Sequence, residues 1–121
     1  HTNVLMAMGK KFVIICLESI DNLLERHLIK ESLILTGKKV IEISFSQMNS
    51  FAGNMLEVTN KEGKSILILS VTALKSLQKE QITTLCEFTE LLPIAIPTIE
   101  TIGGGSARCM LAEIYLEAKI P

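Results

Sequence analysis

The sequence predicts a mixed α/β fold built from two consecutive ββαβ units. Three observations carry this reading. Short Val- and Ile-rich runs alternate with longer stretches of helical periodicity, and turn residues separate neighbouring runs. The order strand, strand, helix, strand then occurs twice, as a repeat of pattern and not of residue identity.

In the first unit, Asn3 to Met8 and Lys11 to Leu17 are β-compatible runs separated by a tight turn at Gly9-Lys10. A helix should follow, with Ile20, Leu24, Leu28 and Leu35 on one apolar stripe, Asp21 as N-cap and Gly37 as C-terminal stop. Lys39 to Ser44 reads as the closing strand. In the second unit, Asn54 to Thr59 and Ser65 to Ser70 flank Asn60-Lys61-Glu62-Gly63, a hairpin loop containing glycine. Thr72 can cap a helical stretch, with a break, that runs to about Phe88. Its apolar side is Leu74, Leu77, Ile82, Leu85 and Cys86, and Pro93 to Ile96 is a short β-compatible run. The units therefore occupy approximately 1–45 and 46–97, with a closing segment at 98–121. Within that segment Met110 to Leu116 fits a helix by propensity and a strand by alternation.

At 121 residues the chain has room for one small domain or for part of a larger one. It opens at His1 and is 48% hydrophobic, rich for a unit of a size that leaves about a third of its unfolded surface exposed. The expectation is a C-terminal part whose apolar surface packs against an N-terminal half of the same domain. The formal charge is −1, with Lys and Arg scattered, so no basic stripe favours nucleic acid. No apolar run reaches the roughly 18 residues of a membrane span. Three widely spaced cysteines without a CxxC pair argue against a disulfide framework or zinc site and fit a reducing, cytoplasmic setting.

Cys109 is the first candidate for chemistry. It follows Gly103-Gly104-Gly105-Ser106-Ala107-Arg108, and a glycine-rich loop lets backbone amides approach whatever the sulfur attacks. Those donors, beside Arg108, suit a sulfur that carries negative charge. An ordinary half-buried cysteine on a strand is the plain alternative, and the residues alone leave both open. Cys16 and Cys86 are expected in the core. His1 and His27 are the candidate general bases. His27 falls in a charged helix and is expected to face solvent, whereas His1 precedes the first β-like run. A phosphate cradle at Gly103 to Ser106 is a poor match, lacking both the GxxxxGK[ST] lysine and the GxGxxG spacing.

Gly103-Gly-Gly-Ser-Ala-Arg-Cys-Met110 resembles the C-terminal nucleophile motif of the arginine deiminase and amidinotransferase group, the guanidine-modifying enzymes of pentein fold. His1-Thr2-Asn3 resembles the family's His-x-Asp motif, and Gly53-Asn54 with the following Met-Leu-Glu-Val resembles its segment lining the active site. The order of these motifs agrees with the family over the whole chain, and the combination is most similar to the citrulline-utilisation branch. The resemblance implies an α/β-propeller of ββαβ modules, of which this chain supplies about two plus a closing strand at Met110 to Leu116.

The implied chemistry is attack by a Cys109 thiolate on the planar carbon of a guanidino or ureido group, giving a covalent thiouronium-type adduct. His1 would protonate the departing amine and then activate water, a role worth roughly 10²–10⁴-fold. Asn3, Asn54, Gly53 and Arg108 are the implied substrate-binding residues. The implied ligand is a small guanidino or ureido amino acid, with no metal and no cofactor required; a homo-oligomer is left open. One position departs from the pattern, because Asn3 stands where most of the family has aspartate. An amide can donate to a ureido oxygen, whereas a carboxylate pairs with a guanidinium. Asn3 therefore favours a citrulline-like over an arginine-like substrate without deciding between them. Two other classes remain: a pentein-fold binding module without catalysis, and a plain α/β interaction module that leaves the GGGSARC run unexplained.

Overall fold

A computed structural model of the chain describes residues 2–111, with side chains from residue 4 onward. The elements run α1 (Thr2–Leu5), β1 (Met6–Met8), β2 (Phe12–Ile15), α2 (Leu23–Leu35), β3 (Lys39–Glu42), α3 (Phe45–Asn49), β4 (Leu56–Thr59), β5 (Ser65–Ser70), α4 (Val71–Ser76), α5 (Lys79–Cys86), β6 (Glu90–Ile94), α6 (Pro97–Gly103) and α7 (Ala107–Met110). Two three-stranded sheets share one design. In each, an antiparallel hairpin (β1–β2, β4–β5) is followed by helix and then by a strand parallel to the hairpin's second strand (β3 on β2, β6 on β5). This is the ββαβ order, twice, in a mixed α/β chain.

The second hairpin shows how the sequence closes a turn. Asn60 Oδ1 accepts from the N–H groups of Glu62 and Lys64, and Gly63 takes φ +80°, which glycine adopts without steric cost. One core joins the two sheets. Phe12, Ile14 and Cys16 of the first unit pack with Leu67, Leu69 and Leu85 of the second, and the rings of Phe12 and Phe88 sit 6.3 Å apart. Polar links reinforce the joint, with Lys10 N donating to Glu57 Oε1 and Gln81 Nε2 donating to the Glu42 carbonyl of β3. No helix among the described residues is long and apolar enough to cross a membrane.

Several expectations are corrected. Residues 2–5 form a helical turn before a short β1, so the first run is not strand throughout. The N-cap of α2 is Asn22, whose side chain accepts from Leu24 N and Glu25 N, and not Asp21. The predicted stripe of α2 faces outward: Leu24, Leu28 and Leu35 are exposed. The buried line instead passes through the half-buried Arg26 and Lys30 to Leu33, because Arg26 bonds the Ile20 carbonyl and Lys30 pairs with Glu42 at 2.6 Å. Long basic side chains cover apolar surface with their stems, so they can occupy an inward line.

In the second unit, Ser70 and not Thr72 caps α4, and the expected break falls between Ser76 and Lys79. Cys86 is exposed, while Cys16 is buried as expected. The last strand begins at Glu90 and ends at Ile94, earlier than the Pro93 to Ile96 run. Two helices, α3 and α6, were not anticipated; α3 carries a Ser44–Gln47 capping box, a local signature present in the sequence. Met110 ends a helical turn, and most of the expected closing strand lies outside the described residues.

Candidate active site

The site is built around one buried amide. Ala52 to Leu56 is a run of buried residues leading into β4, and Asn54 within it is 1% exposed. The chain reaches this run through Phe51, which holds φ +67° after α3. That left-handed conformation is sparsely populated for a bulky side chain, and such outliers gather at functional sites.

Asn54 is satisfied on both sides of its amide. Its Oδ1 accepts from Ser106 N at 3.1 Å and from Cys109 N at 3.4 Å, and its Nδ2 donates to Cys109 Sγ at 3.1 Å. Two backbone donors on the oxygen fix the amide's orientation, so it is the N–H side that meets sulfur. The Asn54 carbonyl accepts in turn from Arg108 N at 3.3 Å. Residues 106–109 thus lie against a segment more than fifty positions earlier.

Cys109 is exposed, in the short turn α7, and of the three glycines before it Gly105 lies close against it. Gly104 has φ +68°, and a Cβ on Gly105 would stand 3.1 Å from Cys109 Cβ and 3.2 Å from its sulfur. The loop therefore needs glycine for its turn at one position and for close approach at the next. Gly53 has another duty. A Cβ there would stand 2.1 Å from the Val4 carbonyl oxygen, so Gly53 lets α1 press against the segment that carries Asn54. Segment 2–5 and segment 106–109 consequently both meet residues 53–54.

Of the sequence-predicted residues, Cys109, Asn54, Gly53 and Arg108 come together here. Arg108 is half-buried and is held through its backbone. His1 and the side chain of Asn3 lie outside the described residues, and His27 is exposed on α2 as expected. Among the described residues, no cluster of His, Cys, Asp or Glu is arranged to hold a metal ion.

A family model for N,N dimethylarginine dimethylhydrolase of eukaryotic type matches residues 1–116. The chain belongs to this family. Membership places it in the pentein, guanidine-modifying superfamily, whose dimethylarginine dimethylhydrolase members are hydrolases of C–N bonds outside peptides. No curated protein matches the chain. The match spans both residues 53–54 and residues 106–109, which meet at the site.

Two neighbours of Asn54 and Cys109 have no signal of their role in the sequence. Glu100 on α6 is 6% exposed, and its carboxylate accepts from Thr72 Oγ1 at 2.9 Å and from Ser106 Oγ at 2.7 Å. Thr72, expected as a helix cap, instead donates its hydroxyl to Glu100. A lone Glu ahead of a glycine run offered no sign that it would be buried.

Proposed function

We propose that this protein is a cysteine-dependent hydrolase that cleaves a C–N bond of a guanidino or ureido group, with Cys109 as nucleophile. The observation that carries the reading is the Asn54 Nδ2 donor 3.1 Å from the exposed Cys109 sulfur, an arrangement that leaves the sulfur accessible and aims one hydrogen-bond donor at it. The family supports the class of bond, and its name supplies a methylated guanidino group as one candidate substrate.

The reaction balances without an external co-reactant other than water. The thiolate forms an S–C bond to the planar carbon, and the C–N bond to the departing amine breaks as that nitrogen takes a proton. Water then replaces sulfur on the same carbon and leaves a ureido product when the substrate is a guanidine. His1 is the proposed proton carrier for both steps. It is two residues before Asn3, at the head of the segment that Gly53 admits beside Asn54. Asn3 and Arg108 are the proposed substrate contacts, and Asn3 favours a ureido group for the reason of hydrogen-bond polarity given above. Gly53 serves by close packing.

The same reading makes the two ββαβ units modules of a pentein propeller, with residues 98–121 closing it. The exposed Leu24, Leu28 and Leu35 of α2 then offer surface for the remaining modules. The test uses the intact protein with N,N-dimethylarginine, arginine and citrulline in separate reactions, following released dimethylamine or ammonia. Acid quenching during turnover should leave a mass increment on the Cys109 peptide, and Cys109→Ala should abolish both turnover and increment. Absence of turnover and of adduct with all three substrates would leave a non-catalytic pentein as the better account.

A further inference from the structure

Ser106 sits at the N-cap of α7, where a serine side chain ordinarily accepts from the backbone N–H three positions on. Here it makes no such bond. Its hydroxyl donates to Glu100 Oε2 instead. The N–H that it would have capped, that of Cys109, is shared between the Ser106 carbonyl at 3.1 Å and, from across the fold, Asn54 Oδ1 at 3.4 Å.

Glu100 makes this exchange at a cost. Its carboxylate is buried, and among the described residues no cation pairs with it; only the hydroxyls of Thr72 and Ser106 reach it. Burying a carboxylate without a counter-charge is unfavourable, and an apolar side chain would fill such a space without that penalty. The three groups that meet there belong to α4, α6 and the start of α7, so the carboxylate ties both ends of the Gly103–Gly105 turn to the helix after β5. Glycine runs have the largest conformational freedom to lose, and this one leads directly to Cys109.

We infer that Glu100 is a positioning residue for the nucleophile: by occupying the Ser106 hydroxyl it keeps that oxygen from competing with Asn54 Oδ1 for the Cys109 N–H, and the other arm of the same amide donates to the sulfur. The inference rests on the reading of Cys109 as nucleophile and adds to it a residue that never touches substrate. Removal of the carboxylate frees Ser106 Oγ to cap Cys109 N–H. Asn54 Oδ1 then keeps Ser106 N but loses Cys109 N, and its Nδ2 is held less closely against sulfur.

The experiment is a double-mutant cycle on the intact protein, read by kcat, by KM and by the rate of Cys109 alkylation. Glu100→Ala should lower kcat by about tenfold, equivalent to 1.36 kcal/mol, with little change in KM, and should slow labelling of Cys109. Glu100→Gln should recover most of that loss, since its amide still engages both hydroxyls. Glu100→Ala with Ser106→Ala should be faster than Glu100→Ala alone, because no hydroxyl remains to compete for the Cys109 N–H. A merely structural role gives the opposite sign, each loss adding to the other. The inference is overturned if the double variant is as slow as Glu100→Ala or slower, or if Glu100→Ala labels and turns over like the wild type. Should Glu100→Ala not fold, Thr72→Val releases one of the two anchors, and unchanged labelling of Cys109 in that variant overturns the inference equally. Alkylation needs no turnover, so a protein inactive on every substrate tested would still decide the role of Glu100 while refuting the hydrolase reading.

Discussion

Asn54→Asp is the most direct probe of the site, because it alters one atom's chemistry with almost no change of shape. The carboxylate keeps an oxygen for Ser106 N and Cys109 N, so the loop retains its anchors. The other oxygen takes the place of Nδ2, 3.1 Å from Cys109 sulfur. Two unit charges at that separation repel by about 1.3 kcal/mol even at the dielectric of water. Loss of the original bond to a charged group adds roughly 1.5–3 kcal/mol. Both effects oppose negative charge on the sulfur in its reactive form. At neutral pH, iodoacetamide labelling of Cys109 and kcat/KM should each fall by about tenfold or more. The measurement is the labelling rate at neutral pH, mapped by peptide mass spectrometry, with circular dichroism to confirm the fold. A rate equal to that of the wild type would refute the claim that the Asn54 amide supports the reactive sulfur.

Three further outcomes are expected. Under native conditions Cys109 should alkylate faster than Cys86, although both are exposed, and buried Cys16 should react only on unfolding; equal rates at Cys86 and Cys109 would remove the case for a special sulfur. Gly53→Ala must displace the Val4 carbonyl, which lies 2.1 Å from the added Cβ. It should cost about 1–3 kcal/mol, seen as a Tm lower by several degrees, and an unchanged Tm would show that α1 does not press on this segment. Asn3→Asp should shift the ratio of kcat/KM from citrulline toward arginine by roughly tenfold, and a ratio that stays put would remove the physical argument for a ureido substrate.

Much of the fold was legible because its signals are local. Ser65 to Ser70 and the Asn60–Gly63 loop were readable since the Asn60 side chain and a positive-φ glycine close the hairpin within five residues. Lys39 onward was readable as strand for its alternation. Errors arose where a distant partner changed a local preference. Leu24, Leu28 and Leu35 look like a core stripe, but α2 presents Leu33 to the core and Arg26 to the Ile20 carbonyl, and the three leucines face outward. Cys86 falls on the apolar side of its helix by periodicity, yet it ends α5 at the point where the chain turns toward β6, and it is exposed.

For the site, residue type and spacing along the chain suffice to name the members and their order: a glycine run before Cys109, Gly53-Asn54 before the second hairpin, and an α/β frame of two ββαβ units. Glycine's lack of a side chain and sulfur's nucleophilicity are properties of the residues themselves. What each one does follows from the folded arrangement. It brought Asn54 to a sulfur 55 positions away, made Gly53 a packing glycine, and diverted Ser106 from capping its own helix to a buried Glu100. A hydrogen bond depends on distance and direction in space, and no local rule of the chain carries that information between residues so far apart.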